Sequence, residues 1–587
     1  MLIKFGQRKG EGKMKKLLTY MKGYKKQCFL APLFKMLEAL FELFIPLVVA
    51  SIIDVGIANG DTSYIAWCCV IMVALGAIGL TCTLFAQYFS AYAAVGFVSG
   101  IKHGLFKHVS SLSYSEIDTL GTSTLITRMT SDINQVQTGV NLTLRLFMRS
   151  PVIVFGAMIM AFIVDVNASL IFVVTIPLLA AVVFGIILST IPLYKRVQSK
   201  LDDTLHTSRE NLTGARVIRA FGLEEKEKAK FHRQTEDLNK GQKLVGRISA
   251  IMNPATFAIV NISIAILIWR GAIQVNYGNL TQGQVIALYN YMSQILIELI
   301  KLANLIVTMT KAVACANRIE SVFEVKPSQE SGTLKSGGNE GEPTVEFKDV
   351  FLRYAGSPEY TLESISFTAM QGERIGIIGG TGSGKSSLIN LIGRFYDCEK
   401  GQVLIEGNDA REYDLEYLRE SIGIVPQRAV LFRGTVRDNL KWGNKNASDA
   451  EILEAIATAQ ATDVLESKSE GLDFVIEEGG KNLSGGQRQR YTIARALVKK
   501  PKILILDDSS SALDYATDAK LRHAIGAMEH KPTTFIVSQR TASLQGCDRI
   551  IVLDDGKMVG IGTHEELLAL CPVYQEIYNS QFKEDVQ

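Results

Sequence analysis

The sequence lacks the cysteine pattern of a disulfide-stabilised or metal-binding protein. Its 587 residues include eight cysteines, and none of them stands at metal-ligand spacing. Four lie in apolar runs and four in the more charged remainder: Cys28, Cys68, Cys69 and Cys82, then Cys315, Cys398, Cys547 and Cys571. We therefore expect reduced thiols and no disulfide framework.

A large net charge is missing as well. The 62 Lys and Arg residues nearly balance the 59 Asp and Glu residues, which leaves a net charge of +3. No basic surface signal attracts nucleic acid, so we expect no nucleic-acid partner. What the chain has instead is 47% hydrophobic residues beside 21% charged ones. With this length, that combination indicates several domains, with apolar stretches separated from charged ones.

The first half of the chain contains six apolar segments, each long enough for the roughly 20 residues that a membrane helix needs. They lie near Cys28–Ile53, Tyr64–Val95, Leu146–Val164, Ser169–Tyr194, Ile248–Trp269 and Val285–Met309. We expect no removable signal peptide before them, because the start, Lys13–Lys26, is basic and amphipathic. One such run could be a buried helix of a soluble protein, but six favour an all-α, six-helix transmembrane domain.

The distribution of Lys and Arg predicts the orientation of these spans. The short connections Asp54–Ser63 and Asp165–Ala168 contain neither residue, whereas the long connections Gly96–Arg145 and Lys195–Arg247 contain many. Basic loops stay on the cytoplasmic side. We therefore expect a multi-pass protein of the plasma membrane with both termini cytoplasmic, and long loops that continue the helices beyond the bilayer.

The composition changes after the sixth span. Residues 326–344 are rich in Gly, Ser and Glu, which is typical of a flexible linker. Beyond them, short β-rich runs such as IGIIG, ILILD and TFIVS alternate with helical runs, as in an α/β domain. Near the end we expect a hairpin around Asp555-Gly556 and a capping box of Thr563 with Glu566. The predicted domains are therefore 1–325, the linker 326–344, and 345–587.

The predicted α/β domain contains the sequence pattern of a phosphate-binding loop. In GGTGSGKSS, Gly379, Gly384, Lys385 and Ser386 stand at the required offsets, after a strand and before a helix. Glycines let backbone amides surround phosphates, Lys385 meets the β and γ charge, and Ser386 offers its hydroxyl to Mg²⁺. We predict ATP and Mg²⁺ as cofactors, with ATP bound by Gly379, Gly380, Thr381, Gly382, Ser383, Gly384, Lys385, Ser386 and Ser387.

Two further motifs support a P-loop ATPase. The apolar strand ILILDD ends in carboxylates, of which Asp507 is predicted to hold Mg²⁺. Between the two motifs lies LSGGQ, Leu483–Gln487. Alone it could be a polar turn capped by Ser484, but its neighbours favour a role in nucleotide binding.

These motifs resemble those of the ABC transporter family, specifically exporter-type half-transporters, from about Lys13 to Phe582. The resemblance implies that Tyr354 stacks on adenine, Gln427 reaches Mg²⁺ and Asp514 belongs to the D-loop. It also implies that two ATPase domains close head to tail, and that the signature covers the γ-phosphate bound by the partner domain through Ser484, Gly485, Gly486 and Gln487. Ser111–Asp118 and Asn211–Gly222 resemble the elements that couple the membrane domain to the ATPase domains.

Two residues depart from the family pattern. Asp508 stands where a Glu usually polarises water, and losing one methylene retracts the carboxylate by about 1.5 Å, enough to spoil general-base geometry. Gln539 stands where a switch His is usual, and its amide can hydrogen-bond but cannot carry a proton or positive charge. Either change alone is compatible with a working site. The predicted catalytic residues are Asp508, Gln539, Lys385, Ser484 and Gly486. Because of the two departures, we expect slow turnover of the ATP held by Lys385 and Asp507, and a competent site that LSGGQ completes with a second, non-identical half-transporter.

Charged residues inside the predicted spans leave the substrate open. Lys35, Glu38 and Glu42 share one face of the first span, and Glu298 and Lys301 lie in the last. Glu42 and Glu298 could line a cavity for cationic amphiphiles or peptides, or the Lys and Glu residues could pair internally, with Lys35 reaching the interface. We expect membrane lipid and an amphiphilic small molecule, lipid or peptide as partners. An exporter-fold importer of a siderophore or vitamin, and a regulatory ATP-clamp subunit, are the alternatives.

Overall fold

The computed structural model describes residues 15–338 and 341–582, which form two compact units. The first contains the chain up to Ser110 and Ser123–Val325. The second contains Lys326 onward together with the short segment Ser111–Thr122. The predicted amphipathic start lies partly outside the described residues, whose first helices are Lys15–Leu18 and Thr19–Tyr24.

Over its described residues, the first unit is all-α and contains six helical stretches long and apolar enough to cross a membrane, as predicted. They are Thr19–Ile57, Thr62–Ser110, Thr122–Val164, Val166–Thr213, Glu224–Asn276 and Gln282–Glu324. Their main helices are Lys25–Ser51, Thr62–Ser110, Ile133–Leu146, Arg149–Val164, Val166–Thr213, Glu224–Ala250, Met252–Asn276 and Gln282–Glu324. Shorter ones are Ile52–Ile57, Thr122–Thr127, Arg128–Asp132 and Ala215–Ala220.

Several of these helices are longer than a bilayer requires. Val166–Thr213 has 48 residues, or about 72 Å at 1.5 Å per residue, against a hydrocarbon core of about 30 Å. The prediction that the long loops continue the spans as helices is confirmed. Small residues such as Ala157, Ala161 and Ala287 are fully buried, which lets the helices approach closely.

The second unit is an α/β domain built around a mostly parallel sheet. Its strands are β1 (Val345–Leu352), β2 (Leu362–Ala369), β3 (Arg374–Gly379), β4 (Lys400–Ile405), β5 (Asn408–Asp409), β6 (Ile422–Val425), β7 (Gly434–Thr435), β8 (Val475–Ile476), β9 (Ile503–Asp507), β10 (Thr533–Val537), β11 (Arg549–Asp554) and β12 (Lys557–Gly562). The six-stranded sheet has the order β12-β11-β3-β10-β9-β6, and the four-stranded antiparallel sheet has the order β2-β1-β4-β5. Strands β11, β3, β10, β9 and β6 run parallel, so their carboxyl ends lie at one edge.

Helices surround these sheets, and the local predictions near the end of the chain hold. The helices are Tyr114–Leu120, Lys385–Ile392, Leu415–Ser421, Val436–Lys441, Asp449–Thr458, Thr462–Glu466, Gly485–Leu497, Tyr515–Gly526, His564–Leu570 and Pro572–Phe582. Strands β11 and β12 form the expected hairpin, with Asp555 and Gly556 at positive φ of 42° and 78°. Thr563 and Glu566 form the expected capping box.

The segment predicted to be a flexible linker is anchored over its described part, 326–338. The Gly332 amide donates to the Tyr413 carbonyl at 2.9 Å, and the Leu334 amide donates to the Glu412 carbonyl at 3.0 Å. Gln329 is buried. This described part is thus hydrogen-bonded to residues about 80 positions later in the chain, which its composition does not indicate, and the flexibility of the segment stays a prediction.

Candidate functional site

Four loops meet at the carboxyl-terminal edge of the parallel sheet. The phosphate loop follows β3, Gln427 follows β6, Asp508 follows β9 and Gln539 follows β10. Because β3, β10, β9 and β6 are neighbours in this order, their loops come together. The structure thus gathers at one edge residues that are up to about 160 positions apart in the sequence.

The phosphate loop is packed on one side and open on the other. Gly384 precedes the helix Lys385–Ile392 with a left-handed φ of 96°. A Cβ at Gly379 would lie 2.1 Å from the Leu553 carbonyl oxygen, so only glycine fits against the sheet there. A Cβ at Gly380 or Gly382 would meet no atom within 4 Å. The open side gives phosphate oxygens access to the backbone amides.

Lys385 is held by backbone oxygens of its own loop. Its Nζ donates to the carbonyls of Gly379 at 2.9 Å and Gly380 at 2.5 Å. Burial lowers the pKa of the Lys385 ammonium, an effect that the carboxylates of Asp508 and Asp507 oppose. Bound phosphate would add negative charge beside this cation, so the loop fits the triphosphate of ATP.

Two adjacent carboxylates face the phosphate loop. Ser386 Oγ donates to Asp507 Oδ2 at 3.2 Å, and Gln427 Nε2 donates to Asp508 Oδ2 at 3.3 Å. Burial raises the pKa of both carboxyl groups, and the charge of Asp508 raises that of Asp507 further. Magnesium prefers oxygen ligands and would relieve this unfavourable charge. Of the predicted ligands, Ser386 and Asp507 therefore lie close enough together to fit Mg²⁺, while Gln427 contacts the adjacent Asp508.

Tyr354 lies beside the helix that follows the phosphate loop. Its hydroxyl donates to Ser387 Oγ at 2.9 Å, and its ring meets that of Tyr396 edge-on at 4.9 Å. The Tyr396 hydroxyl donates to Asp118 Oδ2 at 2.6 Å, and burial together with Asp118 raises the pKa of Tyr396. Sequence reasoning missed Tyr396, since no local motif marks it.

The signature LSGGQ begins a helix at the surface. Ser484 caps Gly485–Leu497 through a capping box in which the Gln487 amide donates to Ser484 Oγ at 3.3 Å. Ser484 and Gly485 are exposed, and a Cβ at Gly485 would meet nothing within 4 Å. Within the described ranges, no hydrogen bond joins the signature to the phosphate loop of this chain.

The segment after β10 is held by contacts with residues that the sequence analysis missed. The Gln539 carbonyl accepts a hydrogen bond from Gln581 Nε2 at 2.7 Å. The Arg540 guanidinium lies 5.0 Å from the centre of the Tyr515 ring, and its charge counteracts the burial that raises the pKa of Asp508. Asp514 caps the helix Tyr515–Gly526.

The two predicted coupling segments differ in their surroundings. Helix Tyr114–Leu120 belongs to the second unit, where the Tyr114 ring lies 4.9 Å from the Phe395 ring. The other segment contains the short helix Ala215–Ala220, and its Val217 and Phe221 side chains are 58% and 73% exposed. One predicted coupling segment thus packs within the second unit, whereas the other exposes apolar side chains.

The charged residues of the membrane helices pair with one another around Arg149. We call them the Arg149 cluster, which consists of Lys35, Glu38, Glu42, Arg149, Glu298 and Lys301. Arg149 donates to Glu38 at 2.7 Å and to Glu42 at 2.8 Å, and it lies 3.5 Å from Glu298. The internal-pairing alternative is the one observed. Arg149 was overlooked, although an Arg inside the predicted third span was a readable signal.

Two further ion pairs complete the Arg149 cluster. Lys35 donates to Glu38 at 2.5 Å, and Lys301 donates to Glu298 at 2.8 Å. The Glu298 side chain is 3% exposed, while that of Glu42 is 34% exposed. Glu42 and Lys301, whose side chains are 34% and 43% exposed, are therefore the members of the cluster that a molecule outside this chain could reach most easily.

Comparisons with known proteins agree with both units. The family described as ABC transporter transmembrane region matches residues 28–299, and the family described as ABC transporter matches residues 362–511. An uncharacterized ABC transporter ATP-binding protein of Mycobacterium tuberculosis is 35% identical, with 96% of this chain and 97% of that protein covered. An ATP-dependent lipid A-core flippase of Haemophilus ducreyi is 28% identical over 97% of this chain and 98% of that protein.

A solved structure supports the fold over nearly the whole chain. It is that of a bacterial Atm1-family ABC exporter with ATP bound, with a TM-score of 0.78 and 22% identity. The match covers 98% of this chain and 100% of that one. The six-helix membrane domain followed by an α/β nucleotide-binding domain is therefore the exporter fold.

Proposed function

The chain belongs to the ABC transporter family, and on that premise we propose that it is one half of a heterodimeric exporter whose own site binds ATP but hydrolyses it slowly. The observation that carries the proposal is the pair of residues after β9 and β10, Asp508 and Gln539. They occupy the loop positions from which a Glu and a His serve hydrolysis in the family.

The assignment of roles follows the geometry of the loops. Tyr354 and the residues Gly379–Ser387 bind ATP, and Ser386, Gln427 and Asp507 hold Mg²⁺. The metal supplies charge neutralisation to the phosphates when bound. The signature residues Ser484, Gly485, Gly486 and Gln487, of which the first two are exposed and the last two half-buried, complete the site of the partner chain.

Asp508 is limited as a general base by the short reach of its carboxylate and not by its basicity. Burial raises its carboxyl pKa, and a higher pKa makes a stronger base. Its carboxylate, however, is one methylene shorter than that of Glu and already accepts a hydrogen bond from Gln427. Gln539 cannot offset this shortfall, because a neutral amide adds no positive charge near the γ-phosphate.

A second chain is supported by two uncovered surfaces. The signature lies at the surface, and the coupling segment around Phe221 exposes apolar side chains. Exposed apolar patches of this kind mark interaction sites. Two copies of this chain would form two slow sites, so we propose a partner that supplies the Glu and the His.

The test compares the purified chain alone with the chain co-expressed with its partner half-transporter. We expect little ATPase activity alone and restored activity in the complex; robust turnover by the isolated chain would contradict the proposal. In the complex, Asp508→Glu combined with Gln539→His should increase single-turnover hydrolysis at this site by at least about tenfold. The control Asp473→Glu, the same one-methylene change at an exposed position, should leave it unchanged.

For the substrate we propose an amphiphile, which includes lipids. The support is the relatives named lipid A-core flippases and a membrane unit whose buried charges are neutralised internally. ATPase stimulation by lipid vesicles and by cationic amphiphiles in the complex tests this. If Glu42 contacts a cationic substrate, Glu42→Gln should abolish the response to cations and spare the response to neutral lipid.

We also propose domain limits of 1–325, 326–344 and 345–587 and a plasma-membrane orientation with both termini cytoplasmic. The long loops rich in Lys and Arg, and the short loops Asp54–Ser63 and Asp165–Ala168 that lack both, support this orientation. A membrane-impermeant thiol reagent applied to intact cells should label Asn59→Cys and spare Lys240→Cys. The reverse pattern would contradict the orientation.

A further inference from the structure

We propose that Gln581 is a positioning residue that fixes the backbone of the switch segment Gln539–Thr541. This inference rests on the proposed role of Gln539 at the γ-phosphate. It assigns to the last turn of the helix Pro572–Phe582 a part in setting the geometry of the nucleotide site. No sequence motif marks Gln581.

The contacts of Gln581 are two-sided. Its Nε2 donates to the Gln539 carbonyl at 2.7 Å, while its Oε1 accepts from the Thr541 amide at 2.9 Å and from Thr541 Oγ at 3.0 Å. A carbonyl only accepts and an amide N–H only donates, so these partners fix the orientation of the side-chain amide. A single side chain therefore holds the backbone on both sides of Arg540.

The residue between these contacts is also constrained. The Arg540 amide donates to Ser538 Oγ at 3.0 Å, and its guanidinium lies 5.0 Å from the Tyr515 ring centre. Thr541 is fully buried. The backbone from which the Gln539 side chain projects is therefore anchored at its own carbonyl and again two residues later.

The helix that contributes Gln581 is itself firmly packed. Tyr574 is fully buried, and its hydroxyl lies 2.7 Å from His564 Nδ1. Gln575, on the same helix, donates to the Leu568 carbonyl at 2.6 Å, away from the switch segment. Gln575 thus offers a control of the same residue type, on the same helix, with a bond of similar length.

The experiment uses the full-length chain purified with its partner half-transporter and follows single-turnover hydrolysis of Mg·ATP at this chain's site. We expect Gln581→Ala to lower the rate constant about three- to tenfold, as expected when hydrogen bonds that orient a catalytic group are lost. The half-saturating ATP concentration should change less than about twofold, since the phosphate loop is untouched. Gln575→Ala should leave the rate constant unchanged. A wild-type rate constant in folded Gln581→Ala overturns the proposal.

A double-mutant cycle with Gln539 distinguishes a positioning role of Gln581 from general destabilisation of the protein. In a Gln539→Ala background, Gln581→Ala should have no further effect on the rate constant, because the group that it positions is gone. An equal loss in both backgrounds overturns the proposal. If Gln581→Ala does not fold, Gln581→Glu replaces it: it keeps the acceptor for Thr541, loses the donor to Gln539, and should lower the rate constant likewise.

The outcomes also separate this inference from the proposed function. If Gln539→Ala changes hydrolysis while Gln581→Ala does not, only the role of Gln581 fails. If Gln539→Ala leaves both ATP affinity and hydrolysis unchanged, the proposed role of Gln539 fails, and that of Gln581 fails with it.

Discussion

The Arg149 cluster and the phosphate-loop site both hold partly buried charges, and they treat those charges in opposite ways. In the cluster, three cations and three carboxylates neutralise one another within a single chain. In the phosphate-loop site, Lys385 contacts backbone oxygens, and Asp507 and Asp508 contact a hydroxyl and an amide. Among the described residues, none of these three forms an ion pair.

This difference distinguishes charges that stabilise the fold from charges positioned to bind a ligand. A buried ion whose partners all lie in the same chain is costly to unpair. A buried ion held only by neutral groups has its pKa shifted toward the uncharged form, as the shifts of Lys385, Asp507 and Asp508 show. Removing a charge should therefore destabilise the first region and not the second.

Arg149→Met should produce the largest effect, because it leaves three carboxylates without their shared partner. Breaking a buried ion pair from one side costs about 3–5 kcal/mol. We expect a large fall in the apparent melting temperature of the purified full-length chain. Lys240→Met, which removes an exposed partner of Glu236, should cost less than about 1 kcal/mol. Similar melting temperatures for the two variants would remove the distinction between the regions.

Asp507→Asn, unlike Arg149→Met, should not lower the melting temperature of the nucleotide-free protein. It removes a carboxylate whose raised pKa shows that the charged form is disfavoured, so the nucleotide-free variant should melt no lower than the wild type. Stabilisation by Mg·ATP, about 2.7 kcal/mol for the wild type at a hundredfold excess over Kd, should be largely lost. Asp473→Asn is the exposed control. A clear destabilisation without nucleotide would show that Asp507 is structural.

Within the Arg149 cluster, the stability lost on neutralising a carboxylate should increase with the burial of its side chain. Glu298 is 3% exposed and is bonded by Ser150 at 3.0 Å and by Lys301. Glu42 is 34% exposed, and within the described ranges its one ion-pair partner is Arg149. We expect Glu298→Gln to cost about 1–3 kcal/mol and Glu42→Gln less than about 1 kcal/mol. Melting temperatures in the reverse order would mean that Glu42 has a partner beyond this chain.

Of these changes, acidification should have the smallest effect on the melting temperature, and it should act through the phosphate-loop site. Because the pKa of Asp507 is raised in the folded chain, its contribution to nucleotide-free stability is greatest at low pH and is lost as pH rises through that pKa. Mg²⁺ needs the ionised carboxylate, so the melting shift caused by Mg·ATP should shrink as the pH falls through the raised pKa of Asp507. Asp507→Asn should show no such change from this group. A wild-type shift that is constant with pH would contradict the assigned pKa direction.

Local patterns in the sequence were sufficient for much of the fold and site. Six apolar runs predicted the six spans, and contiguous motifs located the phosphate loop, the strand ending at Asp507 and the signature helix capped by Ser484. These features are readable because neighbouring residues set their geometry. The hydrogen bonds of segment 326–338 were not readable in this way, since its composition resembles a linker while its backbone pairs with Glu412 and Tyr413.

The sequence by itself determined the two-domain exporter architecture and the identity of the residues that follow β9 and β10, Asp508 and Gln539. Only the tertiary structure decided which charges are neutralised: Arg149 finds Glu38 and Glu42 at separations of 111 and 107 residues. It alone revealed the bond of Tyr396 to Asp118, 278 residues away, and that of Gln581 to Gln539, 42 residues away. Such contacts depend on how separate elements pack, which no local pattern of residues encodes.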